Sequence, residues 1–149
     1  MKLKYIYGWI VGKKAAFVNS FGDNEQLRAQ AQAFWKHLES GTWFYLIAFI
    51  VIAALFAYLY YKPYNNLPGR HFRPRHWAMF GVISALVTFL VTLLITYLMA
   101  TPKLPGSFVM EFKIAIANVI YGLGIYLLCS LFFCLNVFGK TNAYKPFKL

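Results

Sequence analysis

The sequence predicts an all-α integral membrane protein, three transmembrane helices preceded by an amphipathic interfacial helix, and three observations carry that expectation. Only 13% of the 149 residues are charged and 60% are hydrophobic, whereas soluble domains carry about 25% charged residues. Three long apolar runs, 43–61, 77–100 and 112–135, hold no Asp, Glu, Lys or Arg except Lys113 at one edge. Each has the length needed, about 20 residues, to cross a hydrocarbon core of about 30 Å. A stretch of helical periodicity lies directly before the first run. The chain therefore divides into an N-terminal part, 1–41, a transmembrane domain, 42–138, and a basic tail, 139–149.

The first segment, LKYIYGWIVGKKAAFVNSFG, fits two patterns. Leu3, Ile6, Tyr7, Ile10 and Val11 suit a helix, while Leu3, Tyr5, Tyr7, Trp9 and Val11 suit a strand. The charged start resembles a signal peptide, but the apolar run Tyr5 to Val11 ends at Gly12-Lys13-Lys14 without a small-residue cleavage site, so no cleaved signal is expected. The run is too short to span a membrane, which assigns its aromatics to the interface or to a protein contact.

Asp23-Asn24-Glu25-Gln26 then offers an N-cap with a Gln three residues on. Leu27, Ala31, Phe34, Trp35 and Leu38 follow at helical spacing, with Glu25, Arg28, Gln32, Lys36 and Glu39 on the opposite face. This helix suits the membrane interface, bending through Ser40-Gly41 into the first span, or docking on a partner's soluble domain.

Aromatics mark the span ends: Trp43, Phe44 and Tyr45 open the first, Tyr58, Tyr60 and Tyr61 close it, and Trp77 opens the second. Pro63, Pro68 and Pro74 are expected to keep the first connection extended, and Pro102 and Pro105 to terminate the second helix. Near the spans, Lys62, Arg70, Arg73, Arg75, Lys140, Lys145 and Lys148 outnumber Arg28, Lys36, Lys103 and Lys113. The positive-inside rule then assigns the first loop and the C-terminus to the cytoplasmic side of an inner or plasma membrane. Lys2, Lys4, Lys13 and Lys14 pull the other way. Cys129 and Cys134, about 140° apart on a helix, are placed for packing rather than for a disulfide or zinc.

The feature that most invites a function is a hydroxyl at every fourth residue of the second span: Ser84, Thr88, Thr92 and Thr96. If the second and third spans run antiparallel, Asn118 falls level with Thr92 and Thr96. Thr88 then meets Gly122 and Gly124, and Ser84 lies near Cys129 and Ser130. Such stripes glue helices through close approach and hydrogen bonds of about 0.6–2 kcal/mol. The alternative is a homo-oligomeric ion channel or membrane-permeabilising effector with the hydroxyls lining its pore. Against that, the stripe drifts by about 40° per step around a helix.

In the loop KPYNNLPGRHFRPRH, Arg70, His71, Arg73, Arg75 and His76 are candidates for binding anionic lipid headgroups or an acidic partner. Nucleic acid is not the expected partner of so short a tethered loop, and the two histidines lack the company a metal site needs. The four carboxylates, Asp23, Glu25, Glu39 and Glu111, lie outside the expected spans. No nucleophile–base or cofactor pattern accompanies them. The expectation is therefore a non-enzymatic structural or accessory subunit, without cofactor, that meets other membrane subunits or copies of itself.

Overall fold

The computed structural model describes residues 3–64 and 74–134, and all regular structure among them is helical. The ambiguous first segment forms two short helices, α1 (Lys4–Val11) and α2 (Lys14–Asn19). Leu3, Tyr7 and Val11, four residues apart, are buried, while Tyr5 and Trp9 are 72% and 58% exposed. Burial thus follows the helical period, and the alternating reading fails at Tyr5 and Trp9. Gly12 closes α1 with φ +84°, a conformation that side chains with a Cβ resist, and its N–H donates to the Gly8 carbonyl at 3.1 Å.

Helix α3 (Glu25–Ser40) begins at Asn24, whose Oδ1 accepts the Leu27 N–H at 3.1 Å. The cap lies one residue later than a box closed by Gln26 requires. Ala31, Phe34, Trp35 and Leu38 are buried. The Phe17 ring of α2 stands 5.6 Å from Phe34 and 5.9 Å from Trp35, and Arg28 donates to the Asn19 side chain at 3.2 Å. The apolar face expected to enter lipid or dock on another protein is covered by the chain's own N-terminal segment. Periodicity reveals such a face but not what covers it.

Three helices are long and apolar enough to cross a membrane: Thr42–Tyr64, Pro74–Met99 and Ser107–Cys134. The first consists of α4 (Thr42–Leu59) and a π-helical turn, Tyr60–Tyr64, which contains Pro63. Pro63 therefore ends a helix in a widened turn instead of extending a loop. Pro74 is the first residue of α5 (Pro74–Met99), where a missing N–H costs nothing. Helix α6 (Ser107–Cys134) starts five residues before the apolar run at 112, so Glu111 lies inside it.

The chain clusters into two compact units, Met1–Ala48 with Phe89–Asn118, and Phe49–Thr88 with Val119–Leu149. In the first, Tyr45 sits three residues into α4 and Asn118 eleven residues into α6, yet the two are bonded. At about 1.5 Å per residue, α6 extends roughly 12 Å past the start of α4. Helix α3 reaches the α5–α6 connection, where His37 Nδ1 lies 3.0 Å from the Thr101 hydroxyl.

In the second unit, Tyr126 donates to the Trp77 carbonyl at 2.9 Å and Trp77 Nε1 to the Ser130 hydroxyl at 3.0 Å. Tyr60 and Tyr61 are fully buried there, with Tyr61 stacked on Phe133 at 4.9 Å and Tyr60 5.5 Å from Phe80. Of the aromatics expected in interfacial belts, Tyr45, Tyr60 and Tyr61 are thus core residues, whereas Trp43, Phe44 and Tyr58 face outward.

Gly41, at the α3–α4 junction, has a right-handed φ of −73°, so helix propensity alone favours Ala by up to about 1 kcal/mol. A Cβ there would collide with the Tyr45 hydroxyl and stand 2.6 Å from its Cζ, and Tyr45 is fully buried. Gly41→Ala is expected to destabilise the detergent-solubilised protein by about 1–3 kcal/mol in an unfolding titration. Stabilisation would show that the ring yields freely.

Candidate functional site

In the first unit, Asn118 on α6 is fully buried. An amide carries two donor hydrogens and an acceptor oxygen, and burying it without partners is costly. All three of its groups are used. Its Nδ2 donates to Thr92 Oγ1 on α5 at 3.0 Å and to the Tyr45 carbonyl on α4 at 3.1 Å. Its Oδ1 accepts the Tyr7 hydroxyl of α1 at 2.7 Å. One amide thereby joins four helices. Tyr7 reaches it because the helical face of α1 turns that ring inward, where it meets Tyr45 edge-on with centroids 6.4 Å apart.

Toward the α5–α6 connection, Glu111 is 1% exposed, and its Oε1 accepts Lys103 Nζ at 2.7 Å. The same ammonium donates to the Tyr97 carbonyl at 2.6 Å and lies 4.0 Å from the Tyr97 ring centroid. Lys103 therefore satisfies a carbonyl near the C-terminus of α5 while neutralising a buried carboxylate at the start of α6. Glu111 Oε2, the Tyr45 hydroxyl and Thr88 Oγ1 are buried without a hydrogen-bond partner among the described residues.

The hydroxyl stripe divides between the units. In the first, Thr92 meets Asn118, and Thr96 bonds back to the Thr92 and Leu93 carbonyls at 2.9 and 3.0 Å. In the second, Thr88 lies against Gly122, whose added Cβ would be 3.6 Å from both branches of its side chain. Gly124 has nothing within 4 Å at the corresponding position. Ser84 is buried, and Ser130 accepts from Trp77. All four stripe residues are at most 2% exposed. On the opposite side of α5, Val82, Leu86, Leu90 and Leu94 are all more than half exposed.

Of the basic-loop candidates, Arg70, His71 and Arg73 lie outside the described residues. Arg75 is exposed in the first turn of α5, and the His76 ring meets Tyr64 edge-on at 5.7 Å. Cys129 is half-buried and Cys134 buried, both as free thiols. No group of three His, Cys, Asp or Glu side chains suited to a metal occurs among the described residues. Sequence reasoning paired Asn118 with the second span but missed Tyr7, Tyr45 and the Lys103–Glu111 pair. The helical face through Leu3, Tyr7 and Val11 was the available signal for Tyr7. Comparison with known protein families, curated proteins and solved structures finds no match.

The bonding pattern separates two threonines that look equivalent in sequence. Thr92→Val strips a buried amide of a partner and is expected to cost about 1–3 kcal/mol. Thr88→Val removes an unbonded hydroxyl and is expected to be neutral or stabilising. Unfolding of both purified variants measures the contrast, and equal losses would refute the assigned bonds.

Proposed function

We propose that this chain is a non-enzymatic, three-span membrane protein that serves as a structural or accessory subunit of a larger membrane assembly. The observation that carries the reading is the division of α5 into two sides. Its hydroxyls are enclosed by the chain's own helices, while Val82, Leu86, Leu90 and Leu94 form an open stripe with a four-residue step. Apolar helices associate laterally through such packing faces, and a subunit offers one to a neighbour. A pore lined by the stripe needs those hydroxyls on a shared outer surface, and their burial speaks against it.

The three helices, at about 1.5 Å per residue, match or exceed the roughly 30 Å hydrocarbon core. Helix α4 is the shortest of the three and sets the membrane register in this reading, with exposed Trp43 and Phe44 at one hydrocarbon boundary. The overhang of α6 then lies at headgroup depth, and α1, bonded to Asn118 through Tyr7, runs beside the start of α4. Exposed Tyr5 and Trp9 on α1 suit that depth. Charge near the span ends supports a cytoplasmic first loop and C-terminus, with Arg70, Arg73 and Arg75 available to anionic lipid or an acidic partner.

Native purification in mild detergent, with mass determination of every co-purifying chain, tests this reading. Distinct membrane proteins in fixed ratio are the expected result, and the purified chain alone should conduct no ions in liposomes. A homogeneous ring of this chain that conducts robustly would overturn the proposal in favour of a channel.

A further inference from the structure

In the first unit, α1, the Gly12 turn, the start of α2 and α3 bound a cavity of about 570 Å³. That size falls within the range of small-molecule sites, about 300–1,000 Å³. Lys4, Lys13 and Lys14 line it against a single carboxylate, Glu39, so it is cationic. Trp35, 2% exposed, gives it a rigid wall. Two glycines keep the backbone accessible, since an added Cβ at Gly12 would meet nothing within 4 Å and one at Gly8 only the Lys4 Cβ at 3.8 Å. The Gly12 φ of +84° fixes the turn that delivers Lys13 and Lys14 to the rim. Lys4 Nζ lies 5.0 Å from the Tyr5 ring centroid, which leaves Lys13 and Lys14, both exposed, as the uncommitted ammonium groups.

We propose that this cavity binds the phosphate of an anionic phospholipid headgroup, with Lys13 and Lys14 as its principal donors. Lysine binds phosphate as a compact point charge, and a pair of them with one opposing carboxylate favours an anion over a zwitterion. Depth supports the lipid as the source. Tyr7 is bonded at the level of Asn118 and of the first turn of α4, so α1 runs beside the point where α4 begins. The inference rests on the three-span reading above, because only membrane embedding brings headgroups to this level.

The test uses the full chain in mild detergent and native mass spectrometry with three probes: phosphatidylglycerol, phosphatidylcholine and inorganic phosphate. Wild type should retain phosphatidylglycerol over phosphatidylcholine. Lys13→Gln/Lys14→Gln should weaken that retention on the order of thirtyfold, two surface ammonium groups contributing roughly fivefold each. Lys36→Gln removes the same kind of charge from an exposed position on α3 outside the cavity and should change nothing. Equal unfolding temperatures for wild type and variants confirm that the losses report binding.

Equal retention in wild type and the double variant, or an equal loss in Lys36→Gln, overturns the proposal. Lysine-dependent binding of inorganic phosphate without retention of phosphatidylglycerol overturns the lipid as source and leaves a soluble phosphate site. Alkaline extraction separates membrane embedding from headgroup binding. Release of the chain from membranes refutes the three-span reading itself, whereas a chain that stays embedded without lysine-dependent retention refutes the cavity assignment alone.

Discussion

The side-chain amide of Asn118 is the constraint on which the first unit depends. Its three hydrogen-bonding groups go to three other helices, and none is left to solvent. A buried amide stabilises one arrangement by making every other arrangement expensive, since each lost bond leaves a desolvated donor or acceptor. Apolar helices alone pack in many rotations at similar energy. The amide selects one rotation of α5 and of α6, one depth for α4, and one docking of α1.

From that choice the surrounding features follow. Bonding Asn118 to the first turn of α4 makes α6 overhang it. Helix α3 is held beside the α5–α6 connection by His37 at Thr101, and on α2 by the Phe17 ring against Phe34 and Trp35. Lys103 secures the short α5–α6 connection by serving the Tyr97 carbonyl and the Glu111 carboxylate together. At the α3–α4 junction, Gly41 has no Cβ because the Tyr45 hydroxyl lies against its α-carbon. The N-terminal forty residues are thus built onto the long helices rather than appended to them.

Much of this was legible in the sequence. Length and apolarity give three long helices because those quantities are local, and the 3.6-residue period gives the buried face of α3. The Asn118–Thr92 level follows from matching antiparallel spans end to end. Three things were hidden for physical reasons. The partner of the α3 face is the chain's own α2, and amphipathicity does not name partners. Tyr60 and Tyr61 read as interfacial aromatics, yet packing against Phe80 and Phe133 buries them, a tertiary effect outside any window. Thr88 and Thr92 are identical in spacing, and only the rotation of α5 decides which hydroxyl finds the amide.

A double-mutant cycle between Tyr7 and Asn118 measures the tie between α1 and α6. Tyr7→Phe, Asn118→Leu and the double variant are compared with wild type by reversible unfolding in detergent. The two losses are expected to fall short of additivity by about 0.6–2 kcal/mol, because each single change orphans the same buried bond. Strict additivity would mean that α1 does not dock on Asn118 and that the amide does not tie the helices of the first unit together.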